Sequence, residues 1–476
     1  MRTVSGRRPP IRTTAPLRRS HDTEIHAHVD SWRDVLATAS ARIAMLPIAG
    51  IASLVTSRLA LDRLGTPGFA ALSLLLGLPA LIPISDFGIG AAVTDAAVRD
   101  GIGSAQFRSV WRRSLVILTT VGAVTAVAGV ATARVGLWSH FLGLRQSSGF
   151  DTAIACVLVF LAAGMPLGLG QRVLLGAGKQ RLATVLFSCG ALASLAITAT
   201  AVAAGTRSIL PLAIAIASGP LTVQLLVFAV ARKSIASGLA ARLLPFAPLP
   251  SDASFKSVDS PAPVERSRRL REIGLPMGIL TVTLPIAYQS DRVILSHVDG
   301  LTSVAQYSLV SIVYMPLFSV LTTAGAMLWP MFIRARHREL RLEFERALCI
   351  FSGIGLLIAG AIVVVGPFVT DIVGGHILTA GIGVYASFAL LFLVFAVHYP
   401  SGMLLMDRAG LWYQAIGSIL MVGANIPLSI YLAIHVGAAG PPLGSAISII
   451  VFMAVPAFVR ARRTISTVEI EDACLG

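Results

Sequence analysis

RLALDRLGTPGFAALSL, residues 58–74, returns later in the chain as RVILSHVDGLTSVAQYSL, residues 292–309. With one inserted residue, Asp299, six positions coincide: Arg58 with Arg292, Leu61 with Leu295, Gly65 with Gly300, Ala70 with Ala305, Ser73 with Ser308 and Leu74 with Leu309. Each copy sits where one long apolar stretch gives way to the next. A repeat in that position predicts two similar membrane bundles, and internal repeats of this kind are how many secondary transporters are built.

Composition supports the same placement. Of 476 residues, 55% are hydrophobic and only 13% charged, and the mean hydropathy is +0.81. A soluble protein of this length needs a far larger polar surface. Crossing about 30 Å of hydrocarbon takes about 20 helical residues, and twelve stretches are long enough. They run approximately over 41–61, 68–92, 114–136, 150–171, 182–204, 208–231, 273–296, 303–332, 347–370, 377–399, 411–435 and 438–459.

Basic residues set the orientation, because Lys and Arg accumulate in short cytoplasmic loops. With both termini inside, about 32 of the 38 Lys and Arg fall on the inner side. Clusters such as Arg108, Arg112 and Arg113, or Arg334, Arg336, Arg338 and Arg341, carry the bias. The net charge of +15 is thus a topology signal, and nucleic acid is set aside as a partner. The expected location is the inner (cytoplasmic) membrane, crossed many times, with both termini cytoplasmic.

Residues 1–40 lack the apolar core of a signal peptide and carry Arg7, Arg8, Pro9, Pro10, Arg18 and Arg19. They read as a basic, disordered cytoplasmic tail resting on anionic membrane lipids, at about 1 kcal/mol per basic residue near the surface. The one substantial break comes at 232–271, where Pro245, Pro248, Pro250, Pro261 and Pro263 mix with serines and basic residues, as in a cytoplasmic linker. It separates an N-lobe, 41–231, from a C-lobe, 272–463, with a short cytoplasmic tail at 464–476. Each lobe has six spans, an even number, so both enter the membrane in the same direction about a pseudo-symmetry axis along its normal. The expected fold class is all-α and polytopic, with about twelve transmembrane helices in two pseudo-symmetric six-helix lobes and a cavity between them.

Ionisable residues inside such spans cost about 2.5–3.5 kcal/mol each near a helix centre, so each asks for a reason. Arg42 opens the first span and Arg58 sits near its outer end. They either snorkel to headgroups or, with Arg292, form a cationic wall where a diphosphate would find bidentate partners. Asp86, in SDFGIGAA at 85–92, is either a structural cap or ion pair, or serves proton- or cation-linked coupling or gating. Asp291 adjoins Arg292, but helical neighbours point about 100° apart and so need not pair. It too has a structural and a coupling or gating reading. Tyr288, Gln289, Tyr314, Tyr385, His398, Tyr399, Tyr413, Gln414 and Asn425 suit hydrogen bonds between helices better than ligand contacts.

Other signals carry no chemistry. GLGQRVLLGAGKQR at 168–181 lacks the Ser or Thr that must follow the lysine of a phosphate-binding loop, because Gln180 follows Lys179. His21, His26 and His28 lie in the N-terminal tail, and Cys156, Cys189, Cys349 and Cys474 lack CxxC spacing, so neither metal nor disulfide is expected. No catalytic residue is assigned.

Four stretches resemble a family. They are the Arg58–Gly65 run leading into Phe69–Leu74; SDFGIGAA; LPMGILTVTLPIAYQSDRVILSHV at 275–298 with Gln306, Tyr307 and Ser308; and Ala424, Asn425 and Ile426 leading to GAAGPPLGSAIS at 437–448. Together they are similar to Wzx-type polysaccharide-biosynthesis flippases of the multidrug/oligosaccharidyl-lipid/polysaccharide exporter superfamily. The resemblance implies the fold of multidrug and toxic compound extruders and alternating access, with an undecaprenyl-diphosphate-linked oligosaccharide as cargo. It implies no enzymatic activity and no cofactor. A glycan polymerase and glycosyltransferases would be partners, and coupling to H+ or Na+ stays open. The rival is a cation-coupled exporter of drugs or amphiphiles in the same superfamily. Residues 43–57 lack the acidic residue that many such extruders carry in the first helix, which counts against it.

Overall fold

The computed structural model describes residues 19–81, 89–102, 104–144, 149–177, 179–237, 275–334, 337–375 and 377–475. Every regular element among them is a helix. The first half holds α1 (Arg19–Leu81), α2 (Ile89–Asp100), α3 (Ala105–Arg134), α4 (Leu137–Phe141), α5 (Phe150–Leu167), α6 (Leu169–Gly176), α7 (Gln180–Ala203) and α8 (Ile209–Ser237). The second half holds α9 (Leu275–Val298), α10 (Leu301–Ala326), α11 (Leu328–Arg334), α12 (His337–Val364), α13 (Gly366–Gly374), α14 (Ile382–Leu404), α15 (Arg408–Val436), α16 (Gly440–Ile449) and α17 (Val455–Leu475).

Among the described residues nine helical runs are long and apolar enough to cross a membrane. Two of them double back. In Pro47–Gly77 the turn is Gly65, with φ 67 and ψ −178. The reversal shows in what the limbs touch: Arg292 lies against Gly77 on one limb and shares a cavity wall with Ala49, Gly50 and Ser53 on the other. A straight helix would hold Gly50 and Gly77 about 40 Å apart. Arg408–Thr467 turns at Gly437, after which Gly444 packs on Ser429 and Gly417 on Phe452. With these two hairpins opened out and α9 added, twelve crossings result, six in each lobe. Helix α9 is interrupted by the polar run from Tyr288 to Arg292.

The sequence repeat has a conformational counterpart. Gly300, aligned with Gly65, has φ 88 and ψ −179. Both glycines occupy a region of backbone space closed to L side chains, and each starts the return helix of its lobe. The second turn is tied more firmly than the first. Its inserted Asp299 accepts a hydrogen bond from Ser303 and packs against Gly437, linking the turns of two hairpins in the C-lobe.

The expected tail and linker fall partly within this description. Helix α1 begins at Arg19, α8 runs on to Ser237, and α17 continues through 464–475, while 1–18 and 238–274 lie outside the described residues.

Substituting alanine at Gly65 or at Gly300 should destabilise the protein by about 1–3 kcal/mol, the usual cost of forcing a side chain into such a backbone state. Gly353 sits in α12 with nothing near a Cβ, so G353A should be neutral or stabilising by up to about 1 kcal/mol. Thermal unfolding in detergent compares the three. Equal midpoints would contradict the assigned turns.

Candidate functional site

Equivalent residues in two related lobes touch each other only on the axis that relates them. Ser73 and Ser308, paired in the repeat, do so: their Oγ atoms share a 2.7 Å hydrogen bond. The pseudo-symmetry axis therefore passes between the second limb of α1 and α10. Around this contact one apolar cluster runs through both lobes, from Leu61 and Phe69–Leu75 to Leu295, Val304, Ala305 and Leu309. Two further clusters, around Trp111 and around Leu174 and Val227, belong to the N-lobe alone. Helices α2 and α6 likewise make their principal contacts within the N-lobe. The lobes are joined at the end that carries the two glycine turns.

Beyond Ser308, away from those turns, a cavity of about 440 Å³ lies between the lobes. Its walls are Ala49, Gly50 and Ser53 of α1, Arg292 of α9, and Ser308, Ser311, Met315 and Ser319 of α10. The α10 residues recur at steps of three and four, which puts them on one face of the helix. At 1.5 Å per residue, that face runs from about 12 Å to about 28 Å from Gly300, most of the way across the hydrocarbon. Pro316 also lines the cavity. Lacking an N–H, it leaves the Ile312 carbonyl without its helical donor.

Arg292 and Asp291 diverge here, as their helical offset requires. The guanidinium of Arg292 faces the seam. Its Nη1 donates to Gln289 Oε1 at 3.3 Å, its Cζ lies 5.6 Å from the centroid of the Tyr307 ring, and a Cβ on Gly77 of the other lobe would come within 2.9 Å of it. Its Nε has no hydrogen-bond partner among the described residues. Asp291 turns instead into the C-lobe, where it is 1% exposed and accepts a 3.1 Å hydrogen bond from the Tyr307 hydroxyl. Among the described residues its other oxygen is buried without a partner, as are the Tyr288 hydroxyl and His398 Nδ1. Aromatic rings hold the surroundings: Tyr307 against Phe388 at 5.0 Å, Tyr314 stacked on Phe318 at 5.5 Å, and Phe318 edge-on to Phe395 at 4.9 Å.

Arg58 is placed at the joined end, outside the cavity wall. Its Nε pairs with Asp62 at 3.0 Å and its Nη1 donates to the Val373 carbonyl of the other lobe at 3.1 Å. The structure therefore brings Arg292 to the cavity and separates Arg58 from it. The side chain of Arg42 and all of Asp86 lie outside the described residues. Asn425 and Gln414 do structural work. Asn425 donates to the Ala287 carbonyl and accepts from Ser429 and Ser445, and Gln414 Nε2 donates to the carbonyls of Gly402 and Leu405. Sequence reasoning passed over the hydroxyl stripe of Ser308, Ser311 and Ser319. Its helical spacing was the available signal.

A larger cavity of about 530 Å³ lies within the N-lobe, between α5, α6 and α8. Gly168 and Pro220 break those helices beside it. The break at Pro220 is satisfied from outside the cavity, because the Ile216 carbonyl it frees accepts a 2.9 Å hydrogen bond from Ser194.

No protein-family model matches the sequence, and no curated protein matches it. Solved structures do match the fold. An inward-facing multidrug resistance MATE family transporter of the MOP superfamily is 16% identical with a TM-score of 0.60, covering 90% of this chain and 99% of its own. The outward-facing form of such a transporter gives 15% and 0.59, covering 92% and 96%. A MOP superfamily transporter from Pyrococcus furiosus, described as having a binding pocket of reversed polarity, gives 15% and 0.58 with the same coverage. The chain has the two-lobe fold of these transporters.

Removing the Tyr307 hydroxyl strips Asp291 of the one donor it has among the described residues, so Y307F should cost about 1–3 kcal/mol. In a D291A background the same change should cost little, the difference being a coupling of about 0.5–3 kcal/mol. Thermal unfolding of the four proteins measures it. Equal costs in both backgrounds would show that the bond contributes nothing.

Proposed function

We propose that the chain carries a lipid-linked oligosaccharide of the undecaprenyl-diphosphate type across the cytoplasmic membrane, by alternating access of its two lobes. The observation that carries this reading is the wall of the inter-lobe cavity. Among the described residues that line it, Arg292 is the one ionisable group and the remaining polar side chains are serines. A guanidinium with an uncommitted donor suits a diphosphate, and hydroxyls suit sugar oxygens. The lipid tail stays in the bilayer.

With both termini cytoplasmic, the joined end carrying Gly65 and Gly300 is the outer one and the cavity serves the inner leaflet. The membrane potential, inside negative, then drives the cargo outward at about 2.3 kcal/mol per charge per 100 mV. Under this reading strong coupling to H+ or Na+ is not required. Glycosyltransferases supply the cargo on the inner side and a glycan polymerase consumes it on the outer.

A second reading has its own support. The fold is shared with multidrug transporters, and Asp291 is a buried carboxylate with one oxygen unpartnered among the described residues. A cation-coupled exporter of drugs or amphiphiles would use both features, with Asp291 binding the coupling ion and Asp86 supporting it.

Proteoliposomes separate the two. R292Q should slow flipping of a fluorescent undecaprenyl-diphosphate-linked oligosaccharide about 10- to 100-fold, the loss of charge-assisted hydrogen bonds worth about 1.5–3 kcal/mol. Unchanged flipping would overturn the proposal. Ethidium export driven by an imposed H+ or Na+ gradient, and abolished by D291N, would establish the rival.

A further inference from the structure

Arg58 closes a contact that the cavity does not explain. Helix α13 ends at Gly375, whose N–H bonds back to the Asp371 carbonyl at 2.7 Å. The Val373 carbonyl belongs to the last turn, where carbonyls lack intrahelical donors and the helix dipole is negative. Arg58, from the other lobe, fills that place at 3.1 Å. The approach depends on Gly375. Its φ is 52, and a Cβ there would lie 2.4 Å from Arg58 Nη1.

A pseudo-equivalent contact lies across the axis. Gly143, following α4, has φ 69 and packs against the Ser296 carbonyl on α9, where a Cβ would come within 3.3 Å. In each lobe, then, the segment after the third span touches the end of the first span of the opposite lobe. Only one of these contacts carries a guanidinium, because Arg292 is turned toward the cavity.

We propose that Arg58 is the latch of this end of the transporter. It caps α13 across the seam while the lobes are joined, and when they part it keeps only Asp62, its partner one helical turn away at 3.0 Å. Asp62 makes the handover feasible, because the charge is paired in both states and the latch opens without stranding a cation. The two arginines of the repeat thus have different tasks: Arg292 meets cargo, and Arg58 sets how long one end stays shut. The inference rests on the lobe movement proposed above and not on the identity of the cargo.

The Ser73–Ser308 contact supplies the readout. In a background with Cys156, Cys189, Cys349 and Cys474 replaced by alanine, S73C/S308C is oxidised with copper phenanthroline. A protease site placed in the 232–271 linker reports whether the lobes stay attached. R58Q and G375A should each lower the cross-linking rate at least about five-fold, with D62N no slower than the parent. G375A keeps the charge and blocks its access, at the added cost of backbone strain at φ 52, so its rate is read only where the variant stays monodisperse; R58K serves if R58Q fails to reach the membrane. Parental rates in the variants that remain monodisperse would overturn the latch. Loss of oligosaccharide flipping at a parental cross-linking rate would return Arg58 to a cargo-binding role, whereas failure of R292Q to affect flipping would leave the latch standing.

Discussion

Hydrocarbon offers the peptide backbone no hydrogen-bond partner, and the whole structure follows from that constraint. The chain can reverse only at the edges of the bilayer, which is why two glycines of the same unusual conformation, Gly65 and Gly300, start the return helix of each lobe. Between those edges each irregularity needs an outside partner. Where Pro220 frees the Ile216 carbonyl, Ser194 supplies one. At Pro316, on the wall of the inter-lobe cavity, the Ile312 carbonyl loses its helical donor. Irregular backbone at membrane depth is tolerated where it is buried in protein or lines a cavity, and Pro316 stands at such a wall.

The same constraint explains how much could be read in advance. Span number, lobe division and the glycine turns are legible because they depend on length, charge and backbone freedom, all local properties of sequence. The aligned pair Ser73 and Ser308 even locates the axis, although nothing in the sequence says that the two touch. Rotation of each helix is not legible. In a helix apolar on all sides, periodicity gives little sign of which face meets a neighbour and which meets lipid. Asp291 and Arg292 could be given different partners from their helical offset, but not a side. Arg58 and Arg292 matched in the repeat and so suggested a shared role, whereas the structure ties Arg58 to the Val373 carbonyl at the joined end and puts Arg292 on the cavity wall. The side chain of Arg42 and all of Asp86 lie outside the described residues.

Duplication supplies the frame and divergence supplies the chemistry. The C-lobe interior is dense with aromatic rings around Asp291, while buried positions near the axis in the N-lobe are chiefly alanine and leucine. A cavity formed between unlike walls can hold a charged group on one side and leave room on the other. Under the proposed function, that asymmetry would match a cargo with a small anionic centre and a bulky neutral remainder.

The inserted Asp299 has a mechanical consequence. By tying its own turn to Ser303 and Gly437, it braces two hairpins of the C-lobe against each other at the membrane edge, and the Gly65 turn has no residue in the corresponding position. A load arriving at that edge is therefore shared between two hairpins on the C-lobe side, whereas on the N-lobe side it passes through Arg58 to the Val373 carbonyl of the opposite lobe, so the two halves share a blueprint but not a bracing.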